Sequence, residues 1–280
     1  MRDFSHLPPL REVIEAHNLA AKKSLGQNFL LDLNITRKIA RLAGDLDGKT
    51  VVEVGPGPGG LTRALLETGA TQVIAIEKDA RATAALQSLV TAAEGRLVML
   101  NADAMAVPFE TLPGAPFHII ANLPYNIGTA LLLRWLHQLD HIESMTLMFQ
   151  TEVVDRMQAR VGTAAYGRLS VLVQLLCTVR KLMTLPPGAF TPAPKVHSAV
   201  VHLVPHATRP AQDDVRRVEA MTAAAFQQRR KTVRNSLSGL FSEQVLVANN
   251  INPQHRAENL SPHDYLRLAS VGKDRDIKKD

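Results

Sequence analysis

Short apolar runs alternate with longer segments of helical periodicity through the middle of the chain. The apolar runs predict strands at residues 50–54, 73–76, 97–100, 117–121 and 145–149. The segments between them predict helices at residues 59–68, 80–93 and 129–139. Because strands that alternate with helices form βαβ units, the pattern predicts an α/β fold with a mainly parallel sheet.

The pattern differs towards the two ends of the chain. About the first 45 residues are predicted to be helical, with a break at residues 22–28. A late strand at residues 196–204 is predicted to form a hairpin with the region 179–185. After these strands, helices are predicted at residues 213–226, 231–240 and 262–269.

These changes predict two domains with a boundary near residue 206. Residues 1–205 form a Rossmann-like domain with the helical extension 1–45, and residues 206–280 form a small all-α domain. The last eight residues are highly charged and are predicted to fray.

Composition narrows the function classes. The 280 residues contain one cysteine, Cys177, inside an apolar run, which predicts a buried packing residue and no disulfide. With a single cysteine the chain has no CxxC metal-binding pair, and no metal is expected. With no secretory signal and no apolar run long enough to span a bilayer, we expect a cytoplasmic protein. The oligomeric state is left open by the sequence, with a basic monomer as the expectation.

The chain is basic, with a formal net charge of +6 and a sequence pI of about 9.6. This charge is compatible with a polyanionic partner. The positive residues are densest at Arg229, Arg230, Lys231 and Arg234, here named the basic cluster. By itself, such a cluster is more often a solvated helix face than a binding site.

A glycine-rich loop follows the first predicted strand. Gly55, Gly57 and Gly60 let a ligand approach the backbone closely, and they also satisfy the dinucleotide fingerprint GxGxxG. Pro56 and Pro58 remove two backbone donors that a pyrophosphate needs, which favours a cofactor without phosphates.

Acidic residues follow the next two strands. Glu77 ends the second strand, where it can accept hydrogen bonds from ribose hydroxyls, although this placement also suits NAD. Asp103 follows the third strand, where it can accept from the amine of a cofactor adenine; a turn cap is the commoner role of a single aspartate. With Asn122 after the fourth strand, these side chains are expected at one edge of the sheet. Together they favour a methyltransferase that uses S-adenosylmethionine.

The tetrapeptide Asn122-Leu123-Pro124-Tyr125 suits methylation of an exocyclic amine on a flat base. The Asn122 side-chain oxygen and the Leu123 carbonyl can each accept one N–H of the amine and draw its lone pair out of conjugation. Pro124 favours an extended Leu123, which helps to aim that carbonyl outward. Tyr125 offers a stacking face. In isolation, the same four residues more often form an ordinary proline turn before a helix.

With these motifs in view, the chain resembles the rRNA adenine dimethyltransferases, and among them the bacterial small-subunit enzymes. The resemblance runs from about residue 22 to residue 267 and rests on blocks in the family's order. The blocks are SLGQNFL (24–30), the Gly55 loop, NLPYNI (122–127), YGRLSV (166–171), FTPAPKVHS (190–198) and FQQRRKTVRN (226–235).

The resemblance implies a function and a set of roles. The family transfers four methyl groups from S-adenosylmethionine to two adjacent adenines in a 3′-terminal hairpin of small-subunit rRNA, within the assembling particle. By resemblance, Asn28 and Leu30 close over the cofactor, with Gly55 and Gly57 in the loop beneath it. Glu77 holds its ribose and Asp103 reads its adenine.

On the target side, the resemblance places Asn122 between the cofactor and the target amine. It makes Phe190 a second stacking face opposite Tyr125; a core aromatic beside a proline-rich turn is about as common. For the basic cluster, contact with rRNA phosphates becomes the better hypothesis, and such contacts weaken steeply with salt.

Three alternatives remain open at this point. A large-subunit rRNA adenine methyltransferase of the antibiotic-resistance type shares the cofactor site and the target atom. An NAD-dependent oxidoreductase shares the glycine loop but does not account for Asp103 and Asn122. An rRNA-binding assembly factor without catalysis is the third, and the intact set of site residues argues against it.

Overall fold

The computed structural model describes residues 4–21 and 26–271. The chain forms two compact units. Unit 1 comprises Met1–Val154 and Arg180–Pro205, and unit 2 comprises Asp155–Val179 and His206–Asp280. The Ser24-Leu25 start of the first family block and the charged last eight residues lie outside the described residues.

The strands begin with a short one near the N-terminus and end before the last helices. They are β1 (Phe29–Leu30), β2 (Thr50–Val54), β3 (Gln72–Glu77), β4 (Leu97–Asn101), β5 (Phe117–Asn122), β6 (Ile142–Gln150), β7 (Cys177–Leu185), β8 (Phe190–Thr191) and β9 (Ser198–Pro205). All of the strands predicted from apolar runs are confirmed, with ends that differ by a few residues.

The main sheet has seven strands in the order β4-β3-β2-β5-β6-β9-β7. The pairs from β4 to β6 are parallel, and β9 pairs antiparallel with β6. The predicted α/β fold with a mainly parallel sheet is therefore confirmed, and β7 and β9 lie side by side as the hairpin prediction requires. A separate two-stranded ladder joins β1 to β8, with Leu30 opposite Phe190.

Helices flank the sheet in unit 1. They are α1 (Leu10–Ala16), α2 (Leu33–Leu42), α3 (Gly60–Leu66), α4 (Ala80–Ala85), α5 (Gln87–Ala92), α6 (Gly128–Trp135) and α7 (Thr151–Met157), the last of which continues into unit 2. The helix predicted at residues 80–93 is divided at Leu86, which is fully buried between its two halves. Apolar side chains of α2 and α3 pack against those of β2 and β3 in one core. Leu65 of α3 and Val73 of β3 are fully buried in it.

Unit 2 is built from helices around the start of β7. They are α8 (Arg168–Leu176), α9 (Gln212–Gln227), α10 (Val233–Ser236), α11 (Glu243–Ala248) and α12 (Pro262–Val271). Tyr166 and Tyr265 are fully buried, with Phe226 between them. Cys177 is a buried free thiol, as predicted, and burial raises its pKa to about 12.

Two predictions about this region differ from the structure. Of the helix predicted at 231–240, only α10 forms. Thr232 makes a β-bridge with Arg256, and the Val233 N–H donates to the His255 carbonyl, so the helix does not begin before Val233. Residues 155–179 belong to unit 2 and not to the predicted domain 1–205. The physical reason is local: Ser170 and Gln174 of α8 bond carbonyls of residues 156–159. The chain enters unit 2 a second time at His206, which agrees with the predicted boundary.

No helix in the ranges 4–21 and 26–271 is long and apolar enough to cross a membrane. In the same part of the chain, no group of His, Cys, Asp and Glu side chains is arranged to hold a metal ion.

Candidate active site

The carboxyl ends of β2, β3, β4 and β5 open into one cavity of unit 1. The structure brings most of the predicted site residues to its wall. They are Asn28, Gly55, Gly57, Glu77, Asp103, Asn122, Leu123, Pro124 and Tyr125. Parallel strands end at the same edge of a sheet, so residues that are distant in sequence become neighbours there.

The glycine loop after β2 is shaped for close approach of a ligand. Gly55 has φ +71°, and a Cβ on it would meet nothing within 4 Å, so that side of the loop is open. Gly57 has φ +53°, and a Cβ there would lie 2.9 Å from the Phe29 ring. The loop is therefore closed on one side by β1 and open on the other, towards the cavity.

Glu77 is held at the cavity wall by backbone donors. Its Oε1 accepts from the Asp79 N–H at 2.8 Å, and the Gly57 and Lys78 N–H groups also favour its charged form. The side chain is buried at 8% exposure, and this burial raises the pKa of Glu77 above its usual value despite the donors.

Glu53 is a second carboxyl below the same loop, and the sequence assigns it no role. It is 1% exposed, and burial, with a smaller contribution from the Glu77 charge, raises the pKa of Glu53 to about 8. A carboxyl in such a site is mainly protonated at neutral pH. The two neighbouring glutamates are thus distinguished by their donors. Glu77 receives backbone N–H bonds, whereas the Thr62 side chain is the donor that lowers the pKa of Glu53 in part, and Glu53 Oε2 receives no donor within the described residues.

Asp103 lies on the more open side of the cavity. It accepts from the Met105 N–H at 2.9 Å and from Lys78 Nζ at 3.1 Å. The backbone bond and the Lys78 ammonium lower the pKa of Asp103, so it remains ionised. Lys78 also lines the cavity, and no motif pointed to it.

Asn122, the last residue of β5, has a fixed amide orientation. Its Nδ2 donates to the Asn28 carbonyl at 3.0 Å. Since Nδ2 is engaged with the segment that precedes β1, Oδ1 is the amide atom that remains to accept from a ligand. After it, the Pro124 carbonyl accepts from the N–H groups of Ile127 and Gly128, which starts the turn into α6.

The segment before β1 packs tightly against this turn. Gly26 has φ +64°, and a Cβ on it would lie 2.6 Å from Oδ1 of Asn126. Asn28 Nδ2 donates to the Gly26 carbonyl at 3.3 Å. Gly26 and Asn126 both line the cavity, and both lie inside family blocks without a predicted role.

The two predicted stacking residues differ in position. Tyr125 is half-buried and lines the cavity, and its hydroxyl lies 2.5 Å from Ser198 Oγ. Phe190 is 4% exposed and packs in the core with Leu30, and neither lies on the cavity wall. In this conformation, Phe190 is a core aromatic, and its predicted stacking role stays a prediction.

The basic cluster of unit 2 divides into two pairs. Arg229 donates to the carbonyls of Ala164 at 2.7 Å and Tyr166 at 3.1 Å and lies 3.4 Å from Glu258. Arg234 pairs with Glu243 at 3.5 Å.

The other two cations of the basic cluster face solvent. Arg230 and Lys231 are exposed, and no described residue forms an ion pair with either. These two side chains are available to an external anion, whereas Arg229 and Arg234 each have an acidic partner in unit 2.

Known proteins resemble this chain in sequence and in structure. The sequence model of the family described as Ribosomal RNA adenine dimethylase matches residues 18–274. A protein of Cereibacter sphaeroides named Ribosomal RNA small subunit methyltransferase A is 55% identical over 273 residues, covering 96% of this chain and 98% of the relative. A protein of the same name from Dinoroseobacter shibae is 53% identical over 274 residues, with coverage of 96% and 98%.

Two solved structures are similar over most of the chain. A dimethyladenosine transferase from Plasmodium falciparum superposes with a TM-score of 0.72 at 25% identity, covering 88% of this chain and 97% of that one. The 23S rRNA methyltransferase ErmE superposes with a TM-score of 0.67 at 26% identity, covering 88% of this chain and all of that one.

Proposed function

Because the chain belongs to the ribosomal RNA adenine dimethylase family, we propose that it dimethylates the N6 amines of two adjacent adenines in the 3′-terminal hairpin of small-subunit rRNA. The methyl donor is S-adenosylmethionine. The observation that carries the proposal is the orientation of Asn122, whose amide nitrogen is bonded to the Asn28 carbonyl and whose oxygen is left for the target amine.

The residues at the cavity wall fit the cofactor. The open side of Gly55 admits a ligand against the backbone, and no row of N–H groups for a pyrophosphate is needed because the cofactor carries none. Glu77 would hold the ribose hydroxyls and Asp103 the adenine amine, each from a carboxylate already fixed by backbone donors. When bound, the cofactor supplies an electrophilic methyl group on sulfur.

On the target side, this chain's residues orient the amine. Asn122 Oδ1 and the Leu123 carbonyl would each accept one N–H, which places the nitrogen lone pair towards the cofactor. Tyr125 would stack on the base, which must be flipped out or single-stranded because a paired amine is inaccessible. Orientation supplies most of the rate enhancement, since a good electrophile and a positioned nucleophile need little further activation.

No general base is required before attack. An alkylated aromatic amine is strongly acidic and releases its proton readily, so the proton can leave after the N–C bond has formed. Asn122 and Leu123 then act as acceptors that hold the amine and not as bases.

The rRNA is the substrate, and three finer statements belong to the proposal. The substrate form is the assembling small subunit, the enzyme is monomeric, and it acts in the cytoplasm. The exposed Arg230 and Lys231 support phosphate contact, and we restrict the proposed rRNA-binding role of the basic cluster mainly to this pair.

The large-subunit alternative is less well supported. The near-full-length relatives at 53% and 55% identity are named as small-subunit enzymes, whereas the 23S rRNA enzyme is 26% identical. The Gln227-Gln228-Arg229-Arg230-Lys231 run also favours the small-subunit enzymes by resemblance.

The test is methyl transfer to defined ribosomal particles. The purified protein is incubated with labelled S-adenosylmethionine and small subunits from cells that lack this methylation, with large subunits and naked rRNA as comparisons. We expect label as dimethyladenosine in small-subunit RNA alone. Label in large-subunit RNA would assign the chain to the resistance-type enzymes, and cofactor binding without any transfer would favour an assembly factor.

A further inference from the structure

The Tyr125 ring is tethered through its hydroxyl, and the tether comes from a residue with no assigned role. Tyr125 Oη lies 2.5 Å from Ser198 Oγ, and Ser198 is fully buried. We infer that Ser198 is a positioning residue that fixes the position of the Tyr125 ring and thereby supports the second methyl transfer to each adenine more than the first. This inference rests on the proposed function.

Ser198 is anchored by the sheet. It is the first residue of β9 and stands opposite Gln150 at the end of β6. The residue before it is fixed as well, because the His197 carbonyl accepts from the Thr151 N–H at 3.0 Å. A hydroxyl held on a paired strand with 0% exposure has little freedom, so it can hold the group bonded to it.

Tyr125 needs such an anchor. It follows Pro124 in a turn, is half-buried, and lines the cavity. A phenol ring can rotate about its last side-chain bond, and a hydrogen bond at its tip restrains the rotation of the side chain about the bond nearer the backbone. Burial of the phenol also raises the pKa of Tyr125, so the hydroxyl stays protonated and able to bond Ser198.

The two methyl transfers make different demands on this ring. The unmodified amine has two N–H groups, which match the two acceptors Asn122 Oδ1 and the Leu123 carbonyl. The first transfer forms an N–C bond, leaves the sulfur as a thioether and releases one proton. The product amine has one N–H left, so one of the two acceptors loses its partner.

Stacking must therefore contribute a larger share of base binding in the second transfer. That transfer forms a second N–C bond from a second cofactor molecule and releases the last N–H proton. A ring that moves more freely stacks less well on the base. This weaker stacking has the largest effect when fewer hydrogen bonds hold the target amine. Loosening the tether should therefore make the singly methylated base accumulate.

The experiment compares Ser198→Ala with Tyr125→Phe, which removes the same hydrogen bond from the other side and keeps the ring. The double variant completes the cycle. Ser144→Ala is the matched control, because Ser144 is also buried in the sheet and its Oγ lies 2.8 Å from His118 Nδ1. Each protein is assayed on small-subunit particles, and the ratio of singly to doubly methylated adenosine is measured by mass spectrometry.

A second measurement reports on the ring without any turnover. The chain has three tyrosines, so 3-fluorotyrosine labelling gives a simple ¹⁹F NMR spectrum. The Tyr125 signal is identified by its loss in Tyr125→Phe, and the buried Tyr166 and Tyr265 serve as internal references.

We expect Ser198→Ala and Tyr125→Phe each to slow the second transfer about threefold to tenfold relative to the first, as loss of one hydrogen bond predicts. The double variant should be no worse than either single one. The Tyr125 fluorine signal should narrow in Ser198→Ala while the reference signals stay unchanged, and Ser144→Ala should leave both readouts as in wild type.

An unchanged product ratio in both single variants, with an unchanged Tyr125 signal in Ser198→Ala, would overturn the inference. If Ser198→Ala does not fold, Tyr125→Phe decides alone. The proposed function fails separately, since in that case the wild-type protein itself produces no dimethyladenosine in small-subunit RNA.

Discussion

At the carboxyl edge of the sheet, residues far apart in sequence converge on one cavity, whereas the basic cluster, whose members are close in sequence, divides into two pairs. Gly55, Glu77, Asp103 and Asn122 meet because each follows a parallel strand. Within the cluster, the environment of each cation depends on which acceptors of unit 2 lie within its reach. Strand order thus predicts shared location well, while charge density does not predict which cations remain available.

We expect the largest effect from a substitution at the carboxyl edge of the sheet. Asn122→Ala removes the oxygen proposed to hold the target amine, and methyl transfer should fall by about a hundredfold or more because misplaced reactants lose most of their rate advantage. The melting temperature should change little. Asn101→Ala is the control, because Asn101 also ends a strand of the sheet but does not line the cavity. Full activity of Asn122→Ala would remove the proposed role.

The cofactor loop offers the second test of the same edge. In Gly57→Ala the new methyl would lie 2.9 Å from Phe29 at φ +53°, so affinity for S-adenosylmethionine should fall by about tenfold, measured by calorimetry. Gly95→Ala controls for backbone strain, because Gly95 has φ +84° with nothing within 4 Å. Equal affinities in the two variants would show that contact with β1 does not shape the loop.

The basic cluster predicts opposite outcomes for its two pairs. Arg229→Ala leaves carbonyls of residues 164 and 166 without their donor and should lower the free energy of unfolding by about 2 kcal/mol in chemical denaturation. Arg230→Ala/Lys231→Ala should keep wild-type stability. Its binding to small-subunit particles should weaken, with a shallower dependence on salt concentration.

A matched pair on unit 1 tests whether general charge explains the result. Lys38 and Arg41 are exposed on α2, and Lys38→Ala/Arg41→Ala makes the same change in net charge. If both double variants bind particles equally well at low salt, the phosphate-binding role of the cluster is wrong.

The smallest effect concerns the buried Glu53. Its folded-state pKa of about 8 lies above the ordinary 4.5, so between these values the folded protein retains a proton that the unfolded chain releases. By linkage, the free energy of unfolding of wild type decreases as pH rises through this window. Glu53→Gln lacks this group, so its melting temperature should fall less than that of wild type between about pH 5 and about pH 8. Parallel pH profiles would mean that Glu53 ionises normally.

Much of the site could be predicted because its geometry follows from strand ends. Periodicity located β2 to β6, and parallel pairing then brings Glu77 and Asn122 to one edge. The Asn28–Asn122 bond could not be predicted, because it joins segments 94 residues apart through a backbone carbonyl, which leaves no trace in residue type.

Local signals failed where context decides the conformation. No helix was predicted at residues 168–176, where the structure has α8. This helix has apolar residues on most of its surface, and Val171 and Val173 are both fully buried, so the segment shows little amphipathic contrast. A long helix was predicted at residues 231–240, but the bridge from Thr232 to Arg256 delays its start, and only the short α10 forms. Phe190 shows the same limit: an aromatic before a proline-rich turn fits a core or a binding face equally well, and here it is in the core.

Strand β9 of the main sheet runs antiparallel to its neighbour β6, and this reversal decides which end of β9 lies near Tyr125. Because β9 is antiparallel to β6, its first residue, Ser198, stands level with the last residue of β6. A parallel β9 would have begun at the far edge of the sheet, some five or six residues' length from Tyr125. Because β9 is antiparallel, its first residue lies near the turn that follows β5, and Ser198 can bond the hydroxyl of Tyr125.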